Sequence, residues 1–317
     1  MKCLHCNKDI DINNKEEIKL MWHKKCIRSF FNSASLPTID LSKETLTKLI
    51  VESINSGFSV TGVQKKISLG LSKGKNNKLT FVNYPLGYIL KPEVREYKEL
   101  PLVEFITMTL ANIANLNTVP FALIKLNNEY AYISKRIDRF NKNKNSILAM
   151  EDFCQLDGRL TSEKYNGSYE RVAKIIKKYS IYSMLDITSL FSVLIFSFIT
   201  GNSDMHLKNF SLIETSEGSN EYKLAPFYDL VSVKIVLPSD NDELALTLNG
   251  KKRNLTKNDF LDFARNVSID KKIALKLIDE IIDKKDEFIR TIEESLLNNN
   301  YKDAYKKLII ERIDRLK

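Results

Sequence analysis

The sequence lacks a long apolar segment. Its longest nearly apolar stretch, Ser189–Thr200, is shorter than the roughly 20 residues that span a bilayer and is interrupted by Ser192 and Ser197. This pattern predicts a helix that is buried on most of its faces. No apolar core of a signal peptide is present near residue 1. We therefore expect a cytoplasmic protein with no membrane partner.

Glycine, histidine and tryptophan are also scarce, with 10, 3 and 1 copies among 317 residues. Hydrophobic residues make up 43% of the chain and charged residues 28%, which is enough for a substantial core. For a chain of this length we expect one bilobal catalytic unit with a small appendage. The net charge of +9 comes mainly from scattered lysines, so charge alone does not distinguish nucleic acid from nucleotide partners.

Three of the four cysteines lie in the first 26 residues, together with two of the three histidines. Two closely spaced pairs of this kind can hold one tetrahedral zinc ion and fold a segment that is too short for its own core. His5 is an alternative ligand that is disfavoured because it lies inside the first pair, and Cys154 is expected to be a small buried residue rather than a nucleophile. The expected zinc ligands are Cys3, Cys6, His23 and Cys26.

A loop at Gly201–Asn209 carries several chemically capable side chains between two patterned elements. Its Asp204-to-Asn209 interval equals that between the catalytic aspartate and the metal-binding asparagine of protein kinases. The segments Asn209–Ile213 and Tyr222–Ala225 are predicted to pair as a hairpin, which would bring Asp229 close to Asn209. Oxygen atoms from these two residues are the kind of ligand that Mg²⁺ prefers.

The region upstream has the order of parts expected for a nucleotide site. Four of the ten glycines fall between Gly57 and Gly74, where a turn can present backbone N–H groups to phosphates, although an ordinary hairpin has the same composition. A short amphipathic helix is predicted over Leu41–Ile54. The strand Tyr88–Lys91 ends in a lysine, and the helix predicted over Leu102–Leu116 carries Glu104 in a position to orient that lysine. Strands are then predicted at Ala122–Ile124 and Glu129–Ile133.

The order of these motifs resembles the HipA family of serine/threonine kinases, the toxins of bacterial toxin–antitoxin modules. The resemblance runs from about Gly57 to the 290s and implies an α+β, bilobal protein-kinase-like fold. A small mixed lobe over residues 37–140 and a mainly helical lobe over 141–317 would follow a zinc knuckle over 1–36. The motifs are SVTGVQKK, YILK, SKRIDR, EDFCQ, GNSDMHLKNFSL and LAPFYDL.

The resemblance also implies roles for individual residues. Asp204 would be the catalytic base, and His206 in the same loop is a second expected catalytic residue. Asn209 and Asp229 would bind Mg²⁺. The residues that would contact ATP are Lys91, Glu104, Val63, Gln64 and the backbone from Lys135 to Ile137.

Regulation and partners follow from the same resemblance. Ser59 aligns with a serine at which family members autophosphorylate, which expels the glycine-bearing loop and switches the kinase off; Thr61 is a second candidate. Family substrates are proteins that include aminoacyl-tRNA synthetases. A helix-turn-helix antitoxin would be the partner and would link the kinase to DNA. The zinc knuckle stands where the family has an N-terminal subdomain, which a separate small protein could supply.

Two other functions are compatible with the residues. A small-molecule phosphotransferase would use the same constellation. A zinc-bearing nucleic-acid-binding module with an inactive kinase-like body would explain the cysteines and the charge. The presence of Asp204, Asn209 and Asp229 argues against an inactive kinase-like domain, because such a domain need not retain all three residues.

Overall fold

The computed structural model describes residues 1–39, 66–72, 78–81, 87–126, 129–139 and 147–317. The chain divides into two compact units, one comprising Met1–Phe105 with Val119–Lys142 and the other Ile106–Thr118 with Asn143–Lys317. The helix predicted over Leu41–Ile54 lies outside the described residues. So do four residues of the predicted glycine-bearing loop, Ser59, Thr61, Val63 and Gln64.

The first unit begins with two short helices, α1 (Lys15–Leu20) and α2 (Lys24–Phe31), and continues into a sheet. Within the described residues the sheet has six strands in the order β1-β3-β2-β4-β6-β5. Strands β1 and β3 are parallel, and the other neighbours are antiparallel. The strands are β1 (Thr38–Ile39), β2 (Ile67–Ser72), β3 (Lys78–Phe81), β4 (Tyr88–Lys91), β5 (Phe121–Leu126) and β6 (Glu129–Lys135).

Strand β4 has the predicted bounds, and β5 and β6 extend beyond the segments predicted for them. The helix predicted over Leu102–Leu116 is α3 (Leu100–Ile113), so both of its predicted ends were misplaced. It starts earlier because a proline, here Pro101, is tolerated in the first turn. The chain then leaves the helical conformation, and Asn115 is left-handed with φ 57°.

The second unit is mainly helical and has a small antiparallel sheet of order β7-β8-β9. The helices are α4 (Phe153–Leu156), α5 (Tyr169–Tyr179), α6 (Ser183–Thr200), α7 (Val233–Val236), α8 (Lys257–Asn266), α9 (Lys271–Ile282), α10 (Lys285–Glu293) and α11 (Asn299–Asp314). The strands are β7 (Met150–Asp152), β8 (Ser211–Glu214) and β9 (Tyr222–Leu224).

Helix α6 is the central element of this unit and packs against α5, α9 and α11. It begins at Ser183, earlier than the predicted Ser189, and its 18 residues make it long and apolar enough to cross a membrane by length and composition alone. The expectation that no segment reaches that length was therefore wrong. In the structure 67% of the helix is buried, as predicted for a core helix.

Candidate active site and Cys/His cluster

The 201–209 loop, from Gly201 to Asn209, starts where α6 ends. Gly201 has φ 68°, a left-handed conformation that disfavours residues with a Cβ atom. A Cβ atom there would lie 2.7 Å from Leu308 Cδ2 and 2.9 Å from Lys234 Cβ. The backbone N–H of Lys234 also donates to the carbonyl of Gly201 at 3.1 Å. The start of the loop is thus held tightly against its surroundings.

The backbone of Asp204 is fixed from two directions. Its N–H donates to Asn202 Oδ1 at 3.2 Å, and its carbonyl accepts from Asn209 Nδ2 at 2.7 Å. Asn202 and Asn209 are buried, whereas 40% of the Asp204 side chain is exposed. The loop therefore presents an accessible carboxylate on a constrained backbone.

Two side chains approach the Asp204 carboxylate. The Tyr165 hydroxyl donates to Asp204 Oδ1, and His206 Nε2 lies 3.8 Å from the same oxygen. Burial, followed by the nearby Asp204 charge, raises the pKa of Tyr165, so its hydroxyl stays protonated and can keep donating. Sequence reasoning missed Tyr165, since no local pattern connects residues that lie 39 positions apart.

His206 is buried, with 5% of its surface exposed, and packs edge-on against Tyr165 with ring centroids 4.9 Å apart. Burial lowers its pKa to about 4, and the charges of Asp204 and Asp229 only partly oppose that effect. His206 is therefore neutral at neutral pH.

The predicted hairpin is confirmed, with Leu212 paired to Leu224. Strand β8 starts at Ser211 rather than the predicted Asn209, because Asn209 lies in a 3₁₀ turn, Leu207–Asn209. The Tyr228 hydroxyl joins the two ends of the hairpin, lying 2.6 Å from Ser211 Oγ and donating to the carbonyl of Lys208 at 3.2 Å.

These ends carry the two predicted magnesium ligands. Since Asn209 Nδ2 is engaged with the Asp204 carbonyl, Oδ1 is the atom that Asn209 can offer to a cation. Asp229 follows the hairpin in a left-handed conformation, with φ 57°. An amide oxygen and a carboxylate are a donor set that fits Mg²⁺.

In the first unit, Lys91 and Glu104 form a buried ion pair. Lys91 Nζ lies 2.5 Å from Glu104 Oε1, and the two side chains are 3% and 2% exposed. Lys91 Nζ also lies 5.2 Å from the centroid of the Tyr132 ring. The contact predicted from sequence is present. Buried charges of this kind are costly to desolvate and are stable only when paired.

The charged segment after β6 folds on itself. Asp138 accepts from Arg136 Nη2 at 2.9 Å and from Arg139 Nε at 3.0 Å. The backbone N–H of Arg136 donates to the carbonyl of Gly87 at 2.9 Å, which attaches this segment to β4. The side chain of Lys135 extends to the carbonyl of Ser29 at 3.1 Å.

The four predicted zinc ligands meet in one place, which we call the Cys/His cluster (Cys3, Cys6, His23 and Cys26). Their ligand atoms all lie within 4.8 Å of one another. His23 Nδ1 is 3.4 Å from Cys6 Sγ and 3.7 Å from Cys26 Sγ. Tetrahedral zinc with ordinary bond lengths places sulfur and nitrogen ligands about 3.6 Å apart. The geometry therefore fits zinc.

The hydrogen bonding of His23 also suits a cation. His23 Nε2 lies 3.1 Å from the carbonyl of Asp9, so Nε2 can carry the proton and leave Nδ1 available as a ligand. A hydrogen bond with Cys6 and burial raise the pKa of Cys3 to about 12, and burial raises the pKa of Cys26 to about 11. Without a cation these two thiols hold their protons at neutral pH.

Two other candidates are not part of the cluster. The His5 ring stacks on Trp22 with centroids 5.7 Å apart and lies edge-on to Phe30. Burial, followed by the charge of Lys135, lowers the pKa of His5 to about 4. Cys154 is buried, and its Sγ donates to the carbonyl of Leu160 at 3.2 Å, as expected for a small core residue.

Comparison with known proteins identifies the family of this chain. The family described as "HipA-like C-terminal domain" matches residues 58–288, which is well over half of the chain. The chain belongs to the HipA family. A "Putative kinase" of Haemophilus influenzae is 29% identical over 288 residues, covering 81% of each chain. The "Serine/threonine-protein kinase toxin HipA" of Shewanella oneidensis is 30% identical over 193 residues, which are 56% of this chain and 43% of the toxin.

A solved HipA structure supports the fold. It belongs to a complex described as the Shewanella oneidensis toxin–antitoxin system of HipA, HipB and operator DNA, and it aligns with a TM-score of 0.68 at 23% identity. The alignment covers 81% of this chain and 64% of the solved chain. The mixed α/β fold is therefore that of a HipA-family kinase, and the HipA match begins after the segment that holds the Cys/His cluster.

Proposed function

We propose that this chain is an ATP- and Mg²⁺-dependent serine/threonine protein kinase that acts as a growth-inhibiting toxin. The observation that carries the proposal is the 201–209 loop, which holds the backbone of Asp204 between Asn202 and Asn209 while its carboxylate stays exposed. Membership of the HipA family and the buried Lys91–Glu104 pair support the same conclusion.

In phosphoryl transfer the protein mainly positions the reactants and neutralises the charge of the phosphoryl group. Asp204 would accept the proton of the substrate hydroxyl, and Tyr165 would keep its carboxylate oriented. His206 is neutral, so it would not form a charged pair that occupies Asp204. Its proposed role is to shape the loop beside the base.

The first unit carries the residues assigned to ATP, and the second unit carries the two oxygen donors assigned to Mg²⁺. Lys91 would contact the ATP phosphates, with Glu104 holding its ammonium group in place. Mg²⁺ held by Asn209 and Asp229 would neutralise phosphate charge during transfer. The backbone from Lys135 to Ile137 would line the adenine.

The Cys/His cluster is proposed to hold one structural zinc ion, because all four positions are taken by protein ligands. Metal analysis of protein purified without chelator should find about one zinc per chain. The matched control is Cys154→Ser, which should keep full zinc content because Cys154 lies outside the cluster. Absence of zinc from wild type, with three freely reactive thiols, would contradict the assignment.

The toxin function is proposed to depend on a protein substrate of the translation apparatus, such as an aminoacyl-tRNA synthetase, and on a helix-turn-helix antitoxin that recruits the kinase to DNA. Complex formation by the Shewanella HipA with HipB and operator DNA supports the antitoxin part. Autophosphorylation at Ser59, or at Thr61, would switch the kinase off because the added phosphate repels the nucleotide. Mass spectrometry after incubation with Mg-ATP tests this switch.

The central test compares wild type with Asp204→Asn. Phosphate transfer and growth arrest should be lost, whereas nucleotide binding should stay within a few-fold of wild type, since a base acts mainly on turnover. Asp262→Asn is the matched control, because Asp262 is an exposed aspartate in a surface ion pair. Unchanged turnover in Asp204→Asn would reject the assignment. Transfer to a small molecule but to no protein would favour the alternative phosphotransferase.

A further inference from the structure

Helix α2 connects the Cys/His cluster to the sheet of the first unit. His23 is the residue that precedes its first turn, and Cys26 lies within that turn. Two of the four cluster residues thus define where the helix begins. At its other end the carbonyls of the last turn have no partner within the helix and must be satisfied from outside.

Two of those carbonyls accept hydrogen bonds from residues on neighbouring strands of the sheet. Lys135 Nζ donates to the carbonyl of Ser29 at 3.1 Å, and the Tyr88 hydroxyl donates to the carbonyl of Phe30 at 3.3 Å. Tyr88 and Lys135 are directly opposite each other on β4 and β6, and we call them the Tyr88–Lys135 pair. A cation at the C-terminus of a helix is also electrostatically favourable.

Aromatic packing reinforces these two hydrogen bonds. The Tyr88 ring lies 5.8 Å from the Phe30 ring and 5.6 Å from the Phe31 ring, and Lys135 Nζ lies 5.2 Å from the Phe30 ring. A separate backbone bond, from the N–H of Leu123 to the carbonyl of Leu4 at 2.7 Å, attaches the cluster segment to β5. The segment is therefore packed on the sheet at several points.

The Tyr88–Lys135 pair sits where the proposed nucleotide contacts begin. Tyr88 is the first residue of β4, which ends at Lys91. Lys135 is the last residue of β6 and the first of the backbone proposed to line the adenine. A displacement of α2 would therefore shift Lys91 through β4. It would shift the backbone proposed to line the adenine through Lys135.

We propose that zinc in the Cys/His cluster positions the nucleotide-binding strands through α2, so that nucleotide affinity depends on zinc occupancy. Without the ion, the start of α2 keeps only weaker contacts among the cluster side chains, such as that between His23 Nδ1 and Cys6 Sγ, so the acceptors of the Tyr88–Lys135 pair are held less firmly. The expected change in nucleotide affinity rests on the proposed kinase function. The expected change in hydrogen–deuterium exchange of β4 and β6 does not depend on that function.

The experiment removes zinc from the full-length protein with a chelator and restores it afterwards. Hydrogen–deuterium exchange follows peptides that cover β4 and β6, with peptides of α6 as an internal reference. Binding of a fluorescent ATP analogue is measured on the same samples. We expect faster exchange in β4 and β6 but not in α6, a loss of affinity of about tenfold or more, and recovery on zinc addition.

Two variants separate positioning from general stability. Tyr88→Phe removes the hydrogen bond to the Phe30 carbonyl but keeps the aromatic ring, so it should keep its zinc while nucleotide affinity falls about two- to fivefold. Cys6→Ser should lose zinc and behave like the chelated protein. Cys154→Ser is the matched cysteine control and should match wild type in zinc content and exchange.

Each outcome decides the inference. Exchange in β4 and β6 that is unchanged after zinc removal overturns it, and so does a zinc-loaded Tyr88→Phe variant with wild-type exchange in both strands. If zinc-loaded wild type fails to bind nucleotide, the proposed kinase function fails. The exchange comparison then still supports or overturns the positioning role of zinc.

Discussion

Gly201→Ala tests whether close packing at the end of α6 makes the 201–209 loop possible. Two costs are expected. A left-handed φ of 68° costs a residue with a Cβ about 1–2 kcal/mol. Overpacking against Leu308 and Lys234 adds about 1–3 kcal/mol, because the Lys234 Cβ at 2.9 Å belongs to a rigid part of its side chain and cannot rotate away.

Gly158→Ala is the matched control. Gly158 has φ 67°, almost the value at Gly201, but a Cβ atom there would meet nothing within 4 Å. The conformational cost is therefore shared by both variants and cancels in the comparison. We expect Gly201→Ala to be less stable than Gly158→Ala by about 1–3 kcal/mol, which is the cost of the contacts alone.

Urea unfolding provides the assay, with two probes that separate the units. Far-UV circular dichroism reports mainly the helices of the second unit, whereas the buried Trp22 is the single tryptophan of the chain and reports the first unit by fluorescence. The circular dichroism transition of Gly201→Ala should lie at lower urea than that of Gly158→Ala. Equal stabilities of the two variants would refute the packing argument.

Three further predictions concern charged and titratable groups. Glu104→Gln removes the carboxylate that pairs with the buried Lys91 ammonium group, so stability should fall by about 3–5 kcal/mol in urea unfolding and nucleotide affinity should drop; a stable variant with normal affinity would contradict the pairing. Burial lowers the pKa of His206 from 6.5 to about 4, so between these values the unfolded chain binds a proton that the folded chain does not. Stability should therefore decrease as pH falls through this range, by up to about 3 kcal/mol. His206→Gln should flatten this part of the pH–stability curve, and an unchanged curve would show that another group titrates. Asp229→Ala should raise the Mg²⁺ concentration needed for half-maximal activity, measured beside Asp262→Asn, and an unaltered magnesium requirement would remove Asp229 from the metal site.

Much of the candidate site was predictable because its signals are local. The spacing of the four cluster residues, the Asp204-to-Asn209 interval and the alternating hairpin strands each lie within a short segment, where backbone geometry relates spacing to position. The Lys91–Glu104 contact joins adjacent elements, and it too was expected. Helix ends were less predictable, since α3 and α6 both begin earlier than the apolar pattern suggested.

The sequence by itself determined the elements, the family and the chemical character of the candidate residues. Only the tertiary structure decided which distant side chains support them. Tyr165 reaches Asp204 across 39 positions, and Lys135 reaches Ser29 across 106. Neither contact leaves a periodic or spacing signal, because each depends on how whole elements pack rather than on the local conformation of the chain. For the same reason the link between the Cys/His cluster and the strands of Lys91 and Lys135 appears only in the folded protein.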